Sequence, residues 1–482
     1  MSQMMLDEFY FGSESQRRKL SKEGKIRKIY TSLYTSIMDD ELLIERMKYC
    51  WPMVVSNCFK NSVISYRTAV EFKPSPENYI YLVSKSSKLV EIAGLKFKLI
   101  RGEVDSLGNR KALMGAKVVC KERAFLELLI KPRKVPEDDR YLSLEIIEEK
   151  LEEILEQTGE EGLNQFRDKA KEISLQLNLD RPFKELNKII STLLGSKSFP
   201  LNSTKAKSRA LGLPIDTDRI SLFLNLAIHM ESLSYPKVQN QDYGPEHIEN
   251  KAFFESYFSN YIEGTEFLIE EAEEIIFDKK QIENRTQDSH DILGTFEICS
   301  NISFMKTTSK NSDEFISDLK LINKRIISSR IDKDPGIFKV KSNKAGNTFF
   351  VSPERVEGTL RKAFEISQTI TNSISRAIFL SFVVSEVHPF NDGNGRTSRI
   401  ILNRELLANN YPSIIIPTVY RDDYIGALRT LSRKGRTSPI CDMFLRALIF
   451  SNLNFSDYQE VKKELTEKNW FLEPQEGKIL TI

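Results

Sequence analysis

Between residues 388 and 399 the chain reads His-Pro-Phe-Asn-Asp-Gly-Asn-Gly-Arg-Thr-Ser-Arg. An apolar stretch from about Arg376 to Glu386 leads into it, and Ile400, Ile401, Leu402, Leu406 and Leu407 follow at helical spacing. Pro389 cannot continue a helix, so the stretch is a tight loop between two helices. Gly393 and Gly395 let the backbone turn its N–H groups toward one point, and the opening helix adds positive potential there. Arg396 and Arg399 are three apart, so both guanidiniums share one face of the first turn and suit a phosphate. Asp392 offers a hard oxygen to a Mg²⁺ that also binds phosphate oxygens. His388 is the one side chain here with an ordinary pKa near neutrality, which makes it a candidate general base. Each piece alone has an ordinary reading: a structural His, a turn, two solvated arginines. Their conjunction points to phosphate chemistry.

The rest of the chain excludes much else. It holds 482 residues, a prior of about three domains at ~150 residues each. Lys plus Arg is 70 and Asp plus Glu is 68, and a net charge of +2 excludes general polyanion binding by bulk charge. No apolar run approaches ~18 residues, so no transmembrane helix is expected. The acidic start has no apolar segment of a signal peptide, and the expected location is cytoplasmic. Cys50, Cys58, Cys120, Cys299 and Cys441 are scattered, as in a reduced compartment. His229, His247, His290 and His388 lack metal-ligand spacing, so no zinc site is expected. GxxxxGK[ST], GxSxG and a strand-linked GxGxxG are absent from the sequence.

The fold class expected is α+β: a mostly helical core with a β-hairpin, preceded by a mixed α/β N-terminal domain. Residues 1–135 read as mixed α and β, with strands at Asn78–Ser84 and Leu95–Arg101 and a helix at Glu122–Lys131. Residues 136–195 read as an acidic helical segment. From Pro136 to Glu161 there are eleven acidic and two basic side chains, while Leu144, Ile147, Leu151, Ile154 and Leu155 keep helical spacing, so a solvated acidic face is expected. Residues 196–240 read as a linker and a short helix, Ile220–Glu231. The core is expected over 241–409, interrupted by a hairpin at 337–351 around Asn343–Gly346, with a helical extension over 410–482.

The loop matches HPFx[DE]GNGRxxR at every position and resembles the Fic family motif. The resemblance implies a helical Fic core and transfer of a nucleoside monophosphate, usually AMP from ATP, to a protein hydroxyl. It implies His388 as the base, Asp392 as the Mg²⁺ ligand, and Gly393, Asn394 and Gly395 as a cradle for phosphate oxygens. Arg396 would hold the β-phosphate and Arg399 the γ-phosphate. The hairpin sits where the family has its flap, which pins the target segment. The intact GNGR half favours AMP over phosphoryl transfer. The motif reads phosphates rather than bases, so ATP, UTP and GTP stay open.

Upstream, Phe253–Phe277 reads as one helix carrying Ser259, Glu263 and Gly264 in the order S-x-x-x-E-G. This resembles the Fic inhibitory-helix motif. It implies that Glu263 holds Arg399 and restrains transfer; in some relatives the same Glu supports removal of AMP. Tyr424 falls near the family's adenine pocket, though Tyr424, Leu428 and Leu431 equally form a core stripe.

Residues 17–36 and 62–130 resemble the N-terminal region of AbiEi-type antitoxin proteins, on Leu20–Tyr34, Val63–Phe72 and Val118–Leu129. In that family a winged helix-turn-helix precedes this region and binds DNA, but only sixteen residues precede Arg17 here. The seven basic residues from Arg17 to Lys28 stay open to two readings, phosphate contacts or a solvated face on a protein-interaction domain, and the second is favoured. Two readings of the whole follow. The leading one is a self-inhibited AMP-transferase needing ATP and Mg²⁺, acting on a protein hydroxyl or on itself. The other is an antitoxin-like regulatory or nucleic-acid-binding protein with a silent Fic core. A homodimer stays open; a membrane partner is not expected.

Overall fold

A computed structural model describes residues 8–11, 13–105, 109–131, 139–233, 235, 244–346, 348–468 and 470–471. Residues 136–138 of the acidic segment, 241–243 of the expected core, Asn347 of the flap and 472–482 of the extension lie outside the described residues. The chain divides into two compact units, residues 1–211 and 212–482.

The first unit is mixed α and β. A three-stranded sheet joins β1 (Phe9–Tyr10), β2 (Arg27–Tyr30) and β3 (Leu33–Thr35), with β3 central; α1 (Glu14–Lys22) lies between β1 and β2 in the chain and α2 (Asp40–Cys58) follows β3. A six-stranded sheet uses β4 (Ser62–Ile64), β5 (Tyr79–Ser84), β6 (Lys88–Ile92), β7 (Leu95–Arg101), β8 (Arg110–Lys111) and β9 (Lys117–Val118), in the order β6-β7-β5-β4-β9-β8. The strands β5 and β7 run parallel in register from Tyr79↔Lys96 to Ser84↔Arg101. β5 is buried over Ile80–Ser84, matching its unbroken apolar run. After α3 (Tyr66–Glu71) and α4 (Lys121–Leu128) come α5 (Leu144–Leu177), α6 (Asp180–Leu193) and α7 (Thr204–Ala210).

Three expectations are corrected in this unit. The acidic helical segment expected over 136–195 resolves into α5 and α6, and α5 is one long element interrupted only at Gly159, whose φ of 70° suits a residue without Cβ. The acidic face is not wholly solvated. Glu148 and Glu152 are buried: Glu148 accepts from Asn202 and Ser203 backbone N–H groups at 2.6 and 2.7 Å, and Glu152 pairs with Lys205 and Arg209 at 2.6 and 2.8 Å. Those partners show why 196–211 is no free linker: it folds back as α7 onto the acidic helix.

The second unit is helical: α8 (Thr217–Glu231), α9 (Pro245–Ile262), α10 (Ile269–Ile276), α11 (Thr286–Cys299), α12 (Ile302–Met305), α13 (Ser312–Ile326), α14 (Val356–Ser367), α15 (Ser373–Val387), α16 (Asn394–Ala408), α17 (Arg421–Lys434), α18 (Ser438–Phe450) and α19 (Tyr458–Glu467). A two-stranded hairpin, β10 (Lys344–Ala345) with β11 (Thr348–Phe349), interrupts them inside the expected flap. Twelve of the fifteen residues of α15 are buried, the pattern of a helix enclosed on every side. It delivers His388, at its C-terminal end, to the wall of a cavity.

Both expected borders of the core move. α8 belongs to it: Phe223 meets Phe379 and Phe382 of α15 at ring distances of 6.1 and 6.0 Å, and Ser375 Oγ donates to Met230 O at 2.9 Å. At the other end Tyr424, Phe444, Phe450, Phe455 and Trp470 join the same apolar core, so 410–471 is part of it and not an appendage. The expected helix 253–277 is two helices. α9 ends at Ile262, Glu263 caps it, and Gly264 at φ 88° turns the chain out before α10.

Candidate active site

α15 ends where His388 takes a left-handed φ of 52°, so its imidazole leaves the helix line. Strain of this kind in a residue with a Cβ persists where the surroundings enforce it. Here they do: Phe350 lies flat on the imidazole at 3.9 Å between ring centres and 6° between planes, and His388 Nδ1 meets Ser385 O at 3.3 Å. Burial pulls the imidazole down to about 4, helped by the positive charge of Lys339, so it is neutral at pH 7 with a free lone pair.

The following loop is braced from within. Phe390 N donates to Asn394 Oδ1 at 2.8 Å, and Asn394 Nδ2 donates to Phe390 O at 2.9 Å. The Asn394 side chain therefore closes the loop; only its backbone N–H is left for the phosphate role expected of this position. Asp392 Oδ1 accepts from Gly393 N at 2.6 Å, and Asn323 Nδ2 donates to Asp392 O at 2.8 Å. Gly393 stands at φ 76° with Asn323 and Ile327 close beneath, so a Cβ there is excluded by both conformation and space. At Gly395 a Cβ would collide with the carboxylate of Glu263.

The two arginines of α16 have different surroundings. Arg396 Nη1 donates to Asp291 Oδ2 at 2.6 Å and to Asn260 Oδ1 at 3.0 Å. Asp291 also accepts from Arg330 Nε at 2.7 Å, and Arg330 Nη2 donates to Asp288 at 2.7 Å. Arg399 Nε donates to Ser259 Oγ at 2.9 Å, and its Nη2 donates to Ser259 O and to Glu263 Oε1, both at 2.8 Å. Burial works to raise the Glu263 carboxyl, but the Arg399 and Arg396 guanidiniums outweigh it and hold the group below its ordinary value. Ser259, Glu263 and Arg399 are thus brought together as expected. Gly264 is not in the contact; its role is to end α9.

Glu263, Phe350, His388, Gly395, Arg399, Tyr424 and Leu428 wall one cavity of about 210 Å³, which Arg396 and Asp392 do not line. Tyr424 is both wall and core. Its ring lies 5.9 Å from the Arg399 guanidinium carbon, and it packs on Phe444 at 6.0 Å.

Several residues of the site carry no sequence signal. Asp291 and Asn260 orient Arg396 from other helices. Lys339 is buried under the loop: its N donates to Pro389 O at 2.9 Å and its Nζ to Asn343 Oδ1 at 2.6 Å, and burial pulls the ammonium down to about 8. Arg219 of α8 pairs with Glu386 at 2.7 Å and donates to Phe349 O of the hairpin at 2.9 Å. A helix-spacing argument finds α8 but not this reach.

No group of three or more metal-ligating side chains occurs among the described residues. Asp392, 33% exposed at its side chain, is the loop's one carboxylate, and a Mg²⁺ there could be held by it and by non-protein oxygens. Arg396 Nε is buried without a hydrogen-bond partner among the described residues.

Comparison with known proteins adds the following. Residues 315–406 match the model of the Fic/DOC family. A Fido domain-containing protein of Dictyostelium discoideum is 31% identical over 138 residues, 27% of this chain and 93% of that protein. Protein adenylyltransferase Fic of Culex quinquefasciatus is 27% identical over 209 residues, 41% of this chain and 40% of that one. Protein adenylyltransferase fic-1 of Caenorhabditis elegans is 31% identical over 125 residues, 25% of each chain. The alignments thus span 40% or less of these two adenylyltransferases' length.

Proposed function

Because the chain belongs to the Fic/DOC family, we propose that it is a protein adenylyltransferase, moving AMP from ATP to a Ser, Thr or Tyr hydroxyl of a protein, and that Glu263 restrains it. The observation that carries this reading is the convergence of His388, Gly395 and Arg399 on one cavity, with the Glu263 carboxylate bound to Arg399 inside it.

The chemistry follows from these side chains. His388, neutral at pH 7, accepts the proton of the acceptor hydroxyl as its oxygen bonds to the α-phosphorus. The bond from that phosphorus to the bridging oxygen breaks, and pyrophosphate leaves. A base with a pKa of about 4 is weak in the empty site. The negative charge of the bound triphosphate raises it toward neutrality, where a base is worth about 10²- to 10⁴-fold. The N–H groups at the start of α16 and the two arginines bear the charge of the leaving pyrophosphate. Mg²⁺, held by Asp392, would supply further charge neutralisation at the phosphates.

Glu263 acts against this geometry. While it holds Arg399, the γ-phosphate has no guanidinium to reach and the α-phosphorus is not aligned with the acceptor. The cavity of about 210 Å³ supports that reading, because ligand pockets usually span roughly 300–1,000 Å³. Withdrawing the Glu263 side chain enlarges it where phosphates belong.

The test is incubation of the purified chain with α-labelled ATP and Mg²⁺, as wild type and as Glu263→Gly, with a chelator control. Label on protein from the variant, lost in chelator, is the expected result. No label on the chain or on any lysate protein, from either form, would instead favour a regulatory protein with a silent core. Loss of label from pre-modified protein only with wild type would reassign Glu263 to AMP removal.

A further inference from the structure

The exposed side of the hairpin has a definite chemical character. Lys339, Asn343 and Phe350 tie the segment to the 388–390 loop through Pro389 O, Phe390 O and the His388 ring. Among the described residues from Gly336 to Ser352, the exposed side chains other than Ser342 are apolar or basic. Ile337, Val340 and Phe349 are 58, 76 and 68% exposed, although each is large and apolar. Lys341 and Lys344 are exposed beside them, and no acidic residue lies between Gly336 and Ser352.

A second basic element adjoins it. The end of α17 runs Arg429-Thr-Leu-Ser-Arg433-Lys-Gly-Arg436, with Arg429, Arg433, Lys434 and Arg436 exposed and no acid among them. Arg433 reaches the hairpin directly: its Nε and Nη2 lie 3.3 and 3.0 Å from Thr348 Oγ1. The acids nearest in sequence before the hairpin are already engaged, Asp332 with Lys333 at 3.3 Å and Asp334 with Asn391 at 3.1 Å. A chain with a net charge of only +2 thus carries six exposed cations on the hairpin and the end of α17, the two elements that give Ala345, Thr348 and Arg429 to the cavity wall.

We infer that the target segment carrying the acceptor hydroxyl is acidic, with an apolar residue close to the acceptor. This rests on the transfer reading above and names the substrate class of that site. An acidic segment gains from Lys341, Lys344 and Arg433 in two ways: faster encounter, and rejection of basic segments by like charge. The exposed Val340, just before β10, and Phe349, in β11, suit an apolar side chain laid across the hairpin, since large apolar groups left in water beside a binding cavity mark contact surfaces. That apolar surface, and the open edges of a short hairpin that can pair with an extended chain, favour a protein segment over a nucleic acid.

The experiment uses the full chain as Glu263→Gly, α-labelled ATP and a peptide library with Ser, Thr or Tyr at the centre and degenerate flanks. Labelled peptides are sequenced. The expected result is enrichment of Asp and Glu over Lys and Arg at the flanks by at least about fivefold, fading as salt rises. In the double variant Lys341→Glu, Lys344→Glu the enrichment should vanish or invert, with an unchanged thermal melt excluding misfolding. Label without charge preference, or preference for basic flanks, overturns the inference and leaves AMP transfer standing. So does label on the chain itself or on a lysate protein when no library member is labelled, because recognition then does not read local flanks. Stronger inhibition of peptide labelling by oligo-dT than by poly-Glu of equal charge would make the surface a nucleic-acid face, which also overturns it. Label nowhere removes the transfer reading, and this inference with it.

Discussion

Glu263 Oε1 lies 2.8 Å from Arg399 Nη2, and the same carboxylate occupies the space that a Cβ on Gly395 would need. One side chain thus covers both the guanidinium and the loop backbone that the phosphate reading assigns to ATP. Glu263→Gly should raise AMP transfer about tenfold, a pair of this kind being worth ~1.5–3 kcal/mol when buried and less here, where the Glu263 side chain is 31% exposed. The gain should disappear in the double variant with Arg399→Ala. Intact-protein mass spectrometry reads the added AMP. Equal labelling of wild type and Glu263→Gly would remove the restraint and leave the catalytic assignment intact.

His388→Ala should lower transfer by about 10²- to 10⁴-fold while ATP binding persists, because the imidazole meets the acceptor and not the phosphates. Isothermal titration with ATP beside a labelling time course separates the two. Unchanged transfer would assign the base elsewhere.

The pH profile carries its own signature. Burial lowers His388 from an ordinary 6.5 to about 4, with Lys339 adding to the lowering and Glu263 and Asp392 opposing it. The free imidazole therefore stays neutral as pH falls from 7 to 5 and takes up a proton only near 4. In Glu263→Gly, kcat/KM at low ATP, which reports the free enzyme, should stay level across that interval. A break near 6.5 would contradict the buried position. Lys339→Met removes a nearby positive charge and should move the acid limb upward. The stability change has the same origin: the unfolded chain binds the proton first, so the folded state loses stability as pH drops from 6.5 toward 4 and keeps it above 6.5.

Asp291→Ala takes from the buried Arg396 its closest carboxylate, at 2.6 Å, leaving Asp392 at 3.6 Å, and removes a partner of Arg330. A loss on the order of 3–5 kcal/mol follows from breaking such a pair on one side only. Denaturant unfolding measures it. A change under about 1 kcal/mol would mean that Arg396 relaxes to another partner, since well-tolerated substitutions fall in that range.

A fragment beginning at residue 212 should fold, and one beginning at 241 should not hold a native core. The second lacks α8, so Phe379 and Phe382 of α15 lose Phe223. Circular dichroism melts of the two fragments compare them directly. Equal cooperativity would show that α8 is dispensable.

What could be read from the sequence was what is local. The loop from His388 to Arg399 is contiguous, and the glycines, the proline and the arginines each carry their own conformational or charge signal. Ser259 and Glu263 show as a four-residue spacing on one helix. Asp291 had no such signal: it lies 105 residues before Arg396, and an Asp within an ordinary amphipathic helix looks like a solvated one. Lys339 was hidden for the opposite reason, since a lysine in a hairpin is expected in water, and only tertiary packing buries it. The borders of the core failed together. Ser, Lys, Pro and Gly from 195 to 214 read as a linker, but the buried glutamates of α5 hold Asn202–Arg209 of that stretch in the first unit. The helix break before α10 was written in Gly264, but a long apolar and acidic run on both sides outweighed one glycine.

Thirteen of the eighteen residues of α9 are buried, so the helix that carries Ser259 and leads to Glu263 has no face by which it can swing away. Glu263 is therefore a competitor attached to a rigid post, present at one fixed effective concentration beside Arg399. Dilution cannot remove it, and crowding cannot strengthen it. Only a ligand group that reaches Arg399 can contend with it, so a nucleoside diphosphate, lacking the γ-phosphate, should meet the same closed contact at any concentration. Release is confined to the single turn between Tyr261 and Gly264, a few torsions at the end of an otherwise immobile rod.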